Sequence, residues 1–302
     1  MNATPEVVYE TDMPVLYEKR GKVAIVSMNR PRYNNAQNNQ VTYALDAAFM
    51  RASNDDEVAA IIIRGEGKHF SAGHDMGTPG RDWQVSVKDR KGPWYDSVGK
   101  EGAEGQFARE QEVYLGMCRR WREIPKPMVA AVHGACIAGG LMIAWIADII
   151  IASEEAYFSD PVVHMGVPGV EYFAHPFEMQ PRIAREFLML GEKMSARRAY
   201  EVGMINRVVA ADRLLDEALA VAGKLADRPR FGMTLTKHAL NYVEDLLGKR
   251  SAMEGVFTMH QLAHAHNRMT SGSIAGGQTA ASMRSHNMSG ESPPAGQPGE
   301  EP

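Results

Sequence analysis

The chain has 302 residues, of which 44% are apolar and 23% are charged, and its net charge is −4. This balance favours one large α/β domain with a substantial core, and it argues against nucleic acid or an anionic membrane surface as a partner. Cys118 and Cys136 form no disulfide framework, and residues 1–10 lack the layout of a secretion signal, so we expect a cytoplasmic protein.

Short apolar runs alternate with helical periodicity through the first half of the chain. The runs predict buried strands at 23–28, 58–64, 128–133 and 149–152. Apolar residues at helical spacing predict helices around 45–52 and over 107–122, and the turn at 138–140 leads into a buried helix through residue 145. Strands that alternate with helices indicate an α/β fold with parallel pairing.

The remaining segments suggest a lid, a helical region and a tail. Residues 77–105 are rich in Gly, Trp and charge without a clear period, which predicts a long surface loop or lid. Ser195 is a predicted N-cap and Gly203 a predicted helix stop, followed by helices at 214–227, 235–247 and 254–267. We therefore predict a core at 1–190, a helical region at 191–285 and a disordered tail at 286–302.

Five blocks of sequence occur in a specific order. They are NRP at 29–31 with NNA at 34–36, FSAGHDM at 70–76, KP and VAAVHG between 126 and 134, AGG with AD between 138 and 148, and SARRAYEVGMINRVV at 195–209. Their order and spacing resemble the crotonase (enoyl-CoA hydratase/isomerase) family from about residue 15 to about residue 266. The resemblance implies the crotonase fold, an α/β architecture of stacked ββα units with a C-terminal helical trimerisation region.

The resemblance also implies an acyl-CoA site. The backbone N–H groups of Ala72 and Gly139 match the pair that binds the thioester oxygen, where developing negative charge is stabilised. Coenzyme A arrives as part of the substrate, so no separate cofactor and no metal is implied, and a homotrimer or hexamer is expected. Substrate contacts are expected from Arg32, Tyr33, Asn35, Ser71, His74, Asp75, Met76, Gly140, Met142 and Val162.

Both glutamates of the family's hydratases are absent, because Met142 and Val162 occupy their positions. Neither side chain transfers protons, so another group must serve as acid or base. Glu171 lies within about one residue of the position of the isomerases' carboxylate, and His164 titrates near neutral pH. Further candidates for the missing group are Asp160, His74, Glu110 and Glu112.

Three functions remain open at this stage. The first, which the resemblance favours over the other two, is an enoyl-CoA hydratase-like lyase that acts on a 2-enoyl-CoA thioester with substituted acid and base groups. The second is an isomerase that moves a double bond with Glu171 or His164 as its single base. The third is a protein that binds acyl-CoA without chemistry. His, Cys and carboxylate residues show no metal-type spacing in the sequence, so we expect no metal site.

Overall fold

The computed structural model describes residues 13–76 and 90–283. The strands are β1 (Val15–Arg20), β2 (Val23–Met28), β3 (Ala60–Gly65), β4 (Met128–Val132), β5 (Ala135–Ile137), β6 (Ile149–Ser153), β7 (Tyr157–Ser159), β8 (Met194–Ser195) and β9 (Arg207–Val209). The main sheet has the order β1-β2-β3-β4-β6-β9, and a smaller sheet has the order β5-β7-β8. This mixed α/β architecture, with parallel pairing in most of the main sheet, agrees with the fold class expected from the sequence.

Helices cover the sheets and build the second half of the chain. They are α1 (Asn39–Asn54), α2 (Gly102–Glu110), α3 (Met117–Arg122), α4 (Gly139–Trp145), α5 (His175–Glu178), α6 (Pro181–Leu190), α7 (Ala196–Glu201), α8 (Leu214–Ala226), α9 (Arg230–Leu246) and α10 (Lys249–Ser271). Within the described residues, no helix combines the length and apolar character needed to cross a bilayer.

The main sheet is buried on both faces. Strands β2, β3, β4, β6 and β9 pair in parallel, and β1 joins as an antiparallel edge. Alternate residues of β2 and β3 enter two separate apolar clusters, one packed under α8 and the other under α1 and α4. A sheet covered on both faces needs strands that are apolar throughout, so these strands can be recognised as apolar runs in the sequence.

The predicted boundary at residue 190 falls inside the core and is corrected here. Strand β9 (207–209) pairs with β6 in the main sheet, and β8 (194–195) pairs with β7 in the smaller one. Helix α8 packs on the main sheet through Leu214, Ala218 and Val221. Residues 191–226 therefore complete the layered core, and the helical region proper is α9 and α10.

Helix α2 begins at Gly102, earlier than predicted, and continues through a π-helical segment at Gln111–Gly116 into α3. The predicted lid at 77–105 is consequently shorter at its C-terminal end. Its residues 77–89 lie outside the described residues, as does the predicted tail at 286–302. π-helical turns are often found at functional sites, and this one lies where α2 borders a cavity.

The N-cap and stop predicted around α7 agree with the structure. The Ser195 hydroxyl accepts a hydrogen bond from the Arg198 backbone N–H at 3.2 Å, and Gly203 follows the helix at a φ of +80°. Only a residue without a Cβ adopts that conformation at low cost, so Gly203 ends the helix and directs the chain into β9.

Candidate active site

A cavity of about 500 Å³ lies between the turn after β3, helix α2, the segment after β7 and helix α10. Each of these elements contributes at least one polar side chain to the wall. The polar and titratable residues that line it include His74, Arg109, Glu110, Tyr114, Glu171, His260 and His264. Mixed apolar walls with a few convergent polar groups are typical of small-molecule sites.

The turn after β3 has one free backbone donor that faces this region. The Ala72 N–H donates to the Asn34 carbonyl at 2.9 Å, and the Gly73 N–H donates to the Ser71 hydroxyl at 3.2 Å. The His74 N–H has no hydrogen-bond partner among the described residues. Ala72 therefore does not offer the open donor that was predicted, because Asn34 accepts its N–H, and the open N–H of this turn among the described residues belongs to His74.

The second turn brings Gly139 against His74. A Cβ on Gly139 would lie 2.6 Å from the His74 ring and 2.8 Å from the Gln37 amide oxygen. A Cβ on Gly73 would lie 3.2 Å from the Gly139 nitrogen, so the two turns are in contact. Like His74, Gly139 has a backbone N–H without a partner in the described part of the chain. The two open donors thus lie on adjoining turns.

Neither position of the hydratase glutamates carries a group that can move protons. Met142 is buried in the main core cluster, whereas Val162 lines the cavity. Neither hydratase position therefore contributes a carboxylate to the cavity, as the sequence indicated.

Glu171 projects into the cavity from the segment that follows β7. The side chain is 2% exposed, and its Oε2 atom has no hydrogen-bond partner in the described structure. Burial raises the pKa of Glu171 well above its ordinary value, and the nearby charge of Glu110 raises it further. Oε2 lies 3.7 Å from His74 Nε2, and Oε1 lies 3.6 Å from His260 Nε2.

His74 is the neutral neighbour of Glu171. Its ring stacks on Tyr114 with centroids 3.7 Å apart and planes 12° from parallel. Burial lowers the pKa of His74 to about 3, which makes its imidazole a weak base. Burial thus lowers the pKa of His74 and raises that of Glu171, and both shifts disfavour a salt bridge between the two side chains.

Glu110 and two histidines of α10 form a second polar group in the same wall. Glu110 Oε1 lies 3.5 Å from His264 Nε2, and Glu110 Oε2 lies 3.6 Å from His260 Nε2. Burial opposes ionisation of Glu110, but the hydrogen bond and charge of His264 hold its pKa well below the usual range. Burial lowers the pKa of His264, but the hydrogen bond and charge of Glu110 outweigh it and raise the pKa overall. The shifts of the two groups therefore favour an ion pair between Glu110 and His264.

Three predicted substrate-binding side chains are structural instead. The Asn35 amide donates to the carbonyls of Glu66 and His69. The Ser71 hydroxyl donates to the Asn35 carbonyl at 2.8 Å. Asp75 forms a buried ion pair with Arg30 at 2.7 Å, which fixes the turn that presents His74. Gly140 also serves packing, because a Cβ there would lie 2.7 Å from the Ser71 carbonyl oxygen.

His164 does not line the cavity, and the prediction that it is a base is not supported by this geometry. It belongs to a single 3₁₀ turn, Pro161–Met165, that directs Val162 inward and leaves His164 exposed beside Gly191. Met76 does line the cavity. Arg32 and Tyr33 lie on a surface 3₁₀ turn away from it, and their contact with coenzyme A stays a prediction.

Two other sequence candidates are held away from the reacting centre. The Glu112 carboxylate accepts hydrogen bonds from Tyr43 and from the backbone N–H groups of residues 91 and 92, which ties that segment to the π-helical turn. The Asp160 carboxylate lies 2.9 Å from His175 Nε2, and both side chains are fully buried. These contacts indicate structural roles for Glu112 and Asp160.

The sequence reasoning missed His260 and His264. Their spacing of four places both on one face of a helix, and this His-x₃-His pattern was the available signal. The structure also brings Glu110, His260 and His264 close enough together to hold a metal ion, which the spacing of these residues in the sequence did not indicate.

The cavity lies in a chain with clear similarity to known proteins. The sequence pattern of the family described as "Enoyl-CoA hydratase/isomerase" matches residues 18–91 and 97–275. EchA13, a Mycobacterium tuberculosis protein whose name assigns it to the enoyl-CoA hydratases, is 37% identical over 261 residues, which is 85% of this chain and 82% of that protein.

Solved structures show the same relationship. That of a probable enoyl-CoA hydratase from Mycobacterium thermoresistibile has a TM-score of 0.75 and 41% identity, and the match covers 84% of this chain and 98% of the other. A monofunctional enoyl-CoA isomerase from Mycobacterium smegmatis has a TM-score of 0.59 and 26% identity over 77% of this chain and 94% of its own. Proteins named for both reactions are therefore among the similar structures.

Proposed function

The chain belongs to the enoyl-CoA hydratase/isomerase family, and we propose that it acts on an enoyl-CoA thioester with Glu171 as its acid/base group. The reaction that the cavity supports best is a shift of the double bond. One group that removes a proton and returns it elsewhere suffices for that shift. The observation that carries this proposal is the Glu171 carboxyl, buried in the cavity with Oε2 unpaired within the described structure.

The thioester oxygen is proposed to accept hydrogen bonds from the backbone N–H groups of His74 and Gly139. These are the donors left open on the two adjoining turns. Removal of a proton from the carbon next to the thioester carbonyl moves negative charge onto that oxygen. Two preorganised donors stabilise the charge, and loss of one such donor typically slows a reaction by about 10²–10³-fold.

Glu171 is proposed to accept that proton from the carbon next to the carbonyl and to deliver it to the far carbon of the original 3,4 double bond, which moves to the 2,3 position. The ionised carboxylate is a stronger base than an ordinary glutamate, since burial raises its pKa. His74, held by its stack on Tyr114, keeps its uncharged ring beside Glu171 and adds no competing positive charge. Glu171 and His74 both line the cavity, and Gly139 adjoins it through its contact with His74, which supports a one-base shift.

Hydration of a 2-enoyl-CoA is the second candidate, and a second buried carboxylate supports it. Addition of water needs one group to activate the water and another to protonate carbon, and Glu110 is the other carboxylate in the cavity wall. Both Glu110 oxygens already accept amide hydrogen bonds, from Gln106 and from Gln261 at 2.5 Å. Against the effect of burial, the hydrogen bond and charge of His264 also hold the pKa of Glu110 well below its usual range, which makes Glu110 a weak base, so we rank hydration second.

The absorbance of the conjugated thioester distinguishes these reactions. With a 3-enoyl-CoA, we expect the absorbance to rise as the double bond moves into conjugation. A fall with crotonyl-CoA and no rise with the 3-enoyl substrate would replace isomerisation by hydration. No change with either substrate, together with acyl-CoA binding, would refute both and leave a protein that binds acyl-CoA without chemistry.

We also propose a homotrimer or hexamer in the cytoplasm. Helices α9 and α10 expose apolar side chains, among which Leu240, Leu246 and Leu262 are 64%, 69% and 70% exposed. Apolar surface on this scale favours burial against another copy of the chain. Light scattering coupled to size exclusion measures the mass directly, and a monomer at micromolar concentration would refute the proposed assembly.

A further inference from the structure

Glu110, His260 and His264 meet where α2 crosses α10. The three side chains are buried, with 3%, 4% and 6% exposure, and one ligand atom of each lies within 4.8 Å of the other two. His260 and His264 are one helical turn apart, so both rings leave α10 on the same side. Burying two imidazoles and a carboxylate is costly unless they pair with one another or bind an ion.

The backbone fixes the orientation of both histidines. His260 Nδ1 lies 2.7 Å from the Gly169 carbonyl oxygen, and His264 Nδ1 lies 2.8 Å from the Ile274 carbonyl oxygen. A carbonyl oxygen only accepts, so each Nδ1 carries hydrogen and a neutral ring presents its Nε2 lone pair to the cluster. Histidines that bind metals are typically held in this way, with the second nitrogen donating to a carbonyl.

We propose that Glu110, His260 and His264 bind one divalent transition-metal ion of the zinc class. Two ligands about 2.0–2.1 Å from zinc at a tetrahedral angle lie about 3.3 Å apart. The Glu110 Oε1–His264 and Glu110 Oε2–His260 contacts measure 3.5 and 3.6 Å, and one ligand atom of each residue lies within 4.8 Å of the other two, so the side chains move inward when they share one ion. Two imidazoles with one carboxylate form a donor set that zinc commonly uses.

The surroundings of Glu110 are those of a ligating carboxylate. Gln106 and Gln261 donate amide hydrogen bonds to its two oxygens, which orients the group toward the histidines. A hydrogen-bonded ion pair of Glu110 with His264 would leave His260 Nε2 without a partner, and the described structure shows that atom unpaired. A bound ion satisfies all three groups at once.

Three protein ligands leave one position of a tetrahedral ion open. Glu171 Oε1 lies 3.6 Å from His260 Nε2, so the open position lies close to the proposed acid/base group. Sites with an open position are typical of catalytic zinc, whereas structural sites use four protein ligands. Ion binding is measured without acyl-CoA and does not depend on the proposed double-bond shift.

Cobalt(II) is the probe, because it takes zinc's place and its tetrahedral complexes absorb visible light. The full chain is freed of metal with a chelator and titrated with cobalt, then with zinc. We expect visible bands that saturate at one ion per chain and disappear as zinc displaces cobalt. Absence of these bands together with no stoichiometric zinc by elemental analysis would overturn the proposal.

Variants show whether the ion lies in this cluster. His264→Ala removes a ligand, and Glu110→Gln keeps the size of the side chain but removes its charge. We expect zinc affinity to fall by more than the roughly 10–100-fold that loss of an outer-sphere partner costs. His266→Ala is the matched control, because His266 lies on the same helix but is exposed.

Folding is followed separately by thermal unfolding and circular dichroism. Zinc should raise the unfolding temperature of the wild type and of His266→Ala but not of Glu110→Gln, even if His264→Ala fails to fold. Binding that survives unchanged in Glu110→Gln and His264→Ala would assign the ion to surface histidines and refute this site.

Discussion

Glu171→Gln is the variant that tests the proposed chemistry most directly. Glutamine keeps the size and hydrogen-bonding shape of the protonated carboxyl but cannot transfer a proton. General acid–base catalysis typically contributes about 10²–10⁴-fold. Met142 and Val162 cannot replace the lost group, and His74 is a weak base because its pKa is about 3. We therefore expect kcat to fall by about 10³–10⁴-fold, or about 4–5.5 kcal/mol in the barrier.

The assay follows absorbance with a 3-enoyl-CoA for kcat and calorimetry with a saturated acyl-CoA for affinity. Affinity should change little, since the carboxyl acts on the reacting carbons. The unfolding temperature at pH 7 should be unchanged or higher, because glutamine avoids the cost of ionising a buried carboxyl. Glu186→Gln, an exposed position on α6, is the control. A kcat within 10-fold of the wild type would remove Glu171 from the mechanism.

Three further variants test the scaffold. Gly139→Ala places a methyl group 2.6 Å from the His74 ring and so displaces one of the two proposed donors. We expect kcat to fall by about 10²-fold or more while the circular dichroism spectrum stays the same. Full activity would refute the pair of donors. Asp75→Asn leaves Arg30 buried without its counter-charge, and urea unfolding should show a loss of about 3–5 kcal/mol; a loss under 1 kcal/mol contradicts this. Ser195→Ala should cost about 1 kcal/mol of unfolding free energy without altering kcat, and a larger loss would imply a role beyond the N-cap.

The long buried strands were predictable from sequence, but the shortest ones were not. Val23–Met28 is apolar throughout because both faces of the main sheet are covered, and its predicted bounds agree with the structure. Strands β7 and β9 have three residues each, which is too short for a periodic pattern. Their pairing depends on contacts with segments far away in the chain, and this is also why the boundary at 190 was misplaced.

The candidate site, too, was predictable only where neighbouring residues in the sequence determine its structure. The small residues around Ala72 and Gly139 indicate exposed backbone, but they do not reveal which N–H is already used. That depends on Asn34 and Asn35, whose left-handed backbone, with φ of 52° and 53°, places the Asn34 carbonyl against Ala72. Hydrogen bonds made across loops carry no sequence signature of their own.

Helix α10 and the residues that follow it close one side of the cavity, and they belong to the last part of the described chain. During synthesis the sheet and α8 leave the ribosome first, and domains begin to fold from their N-terminal parts. Until α10 has emerged and docked, the nascent protein has its layered core but exposes Glu171 to water. The proposed active site is therefore completed only after α10 has docked on a core that is already largely buried.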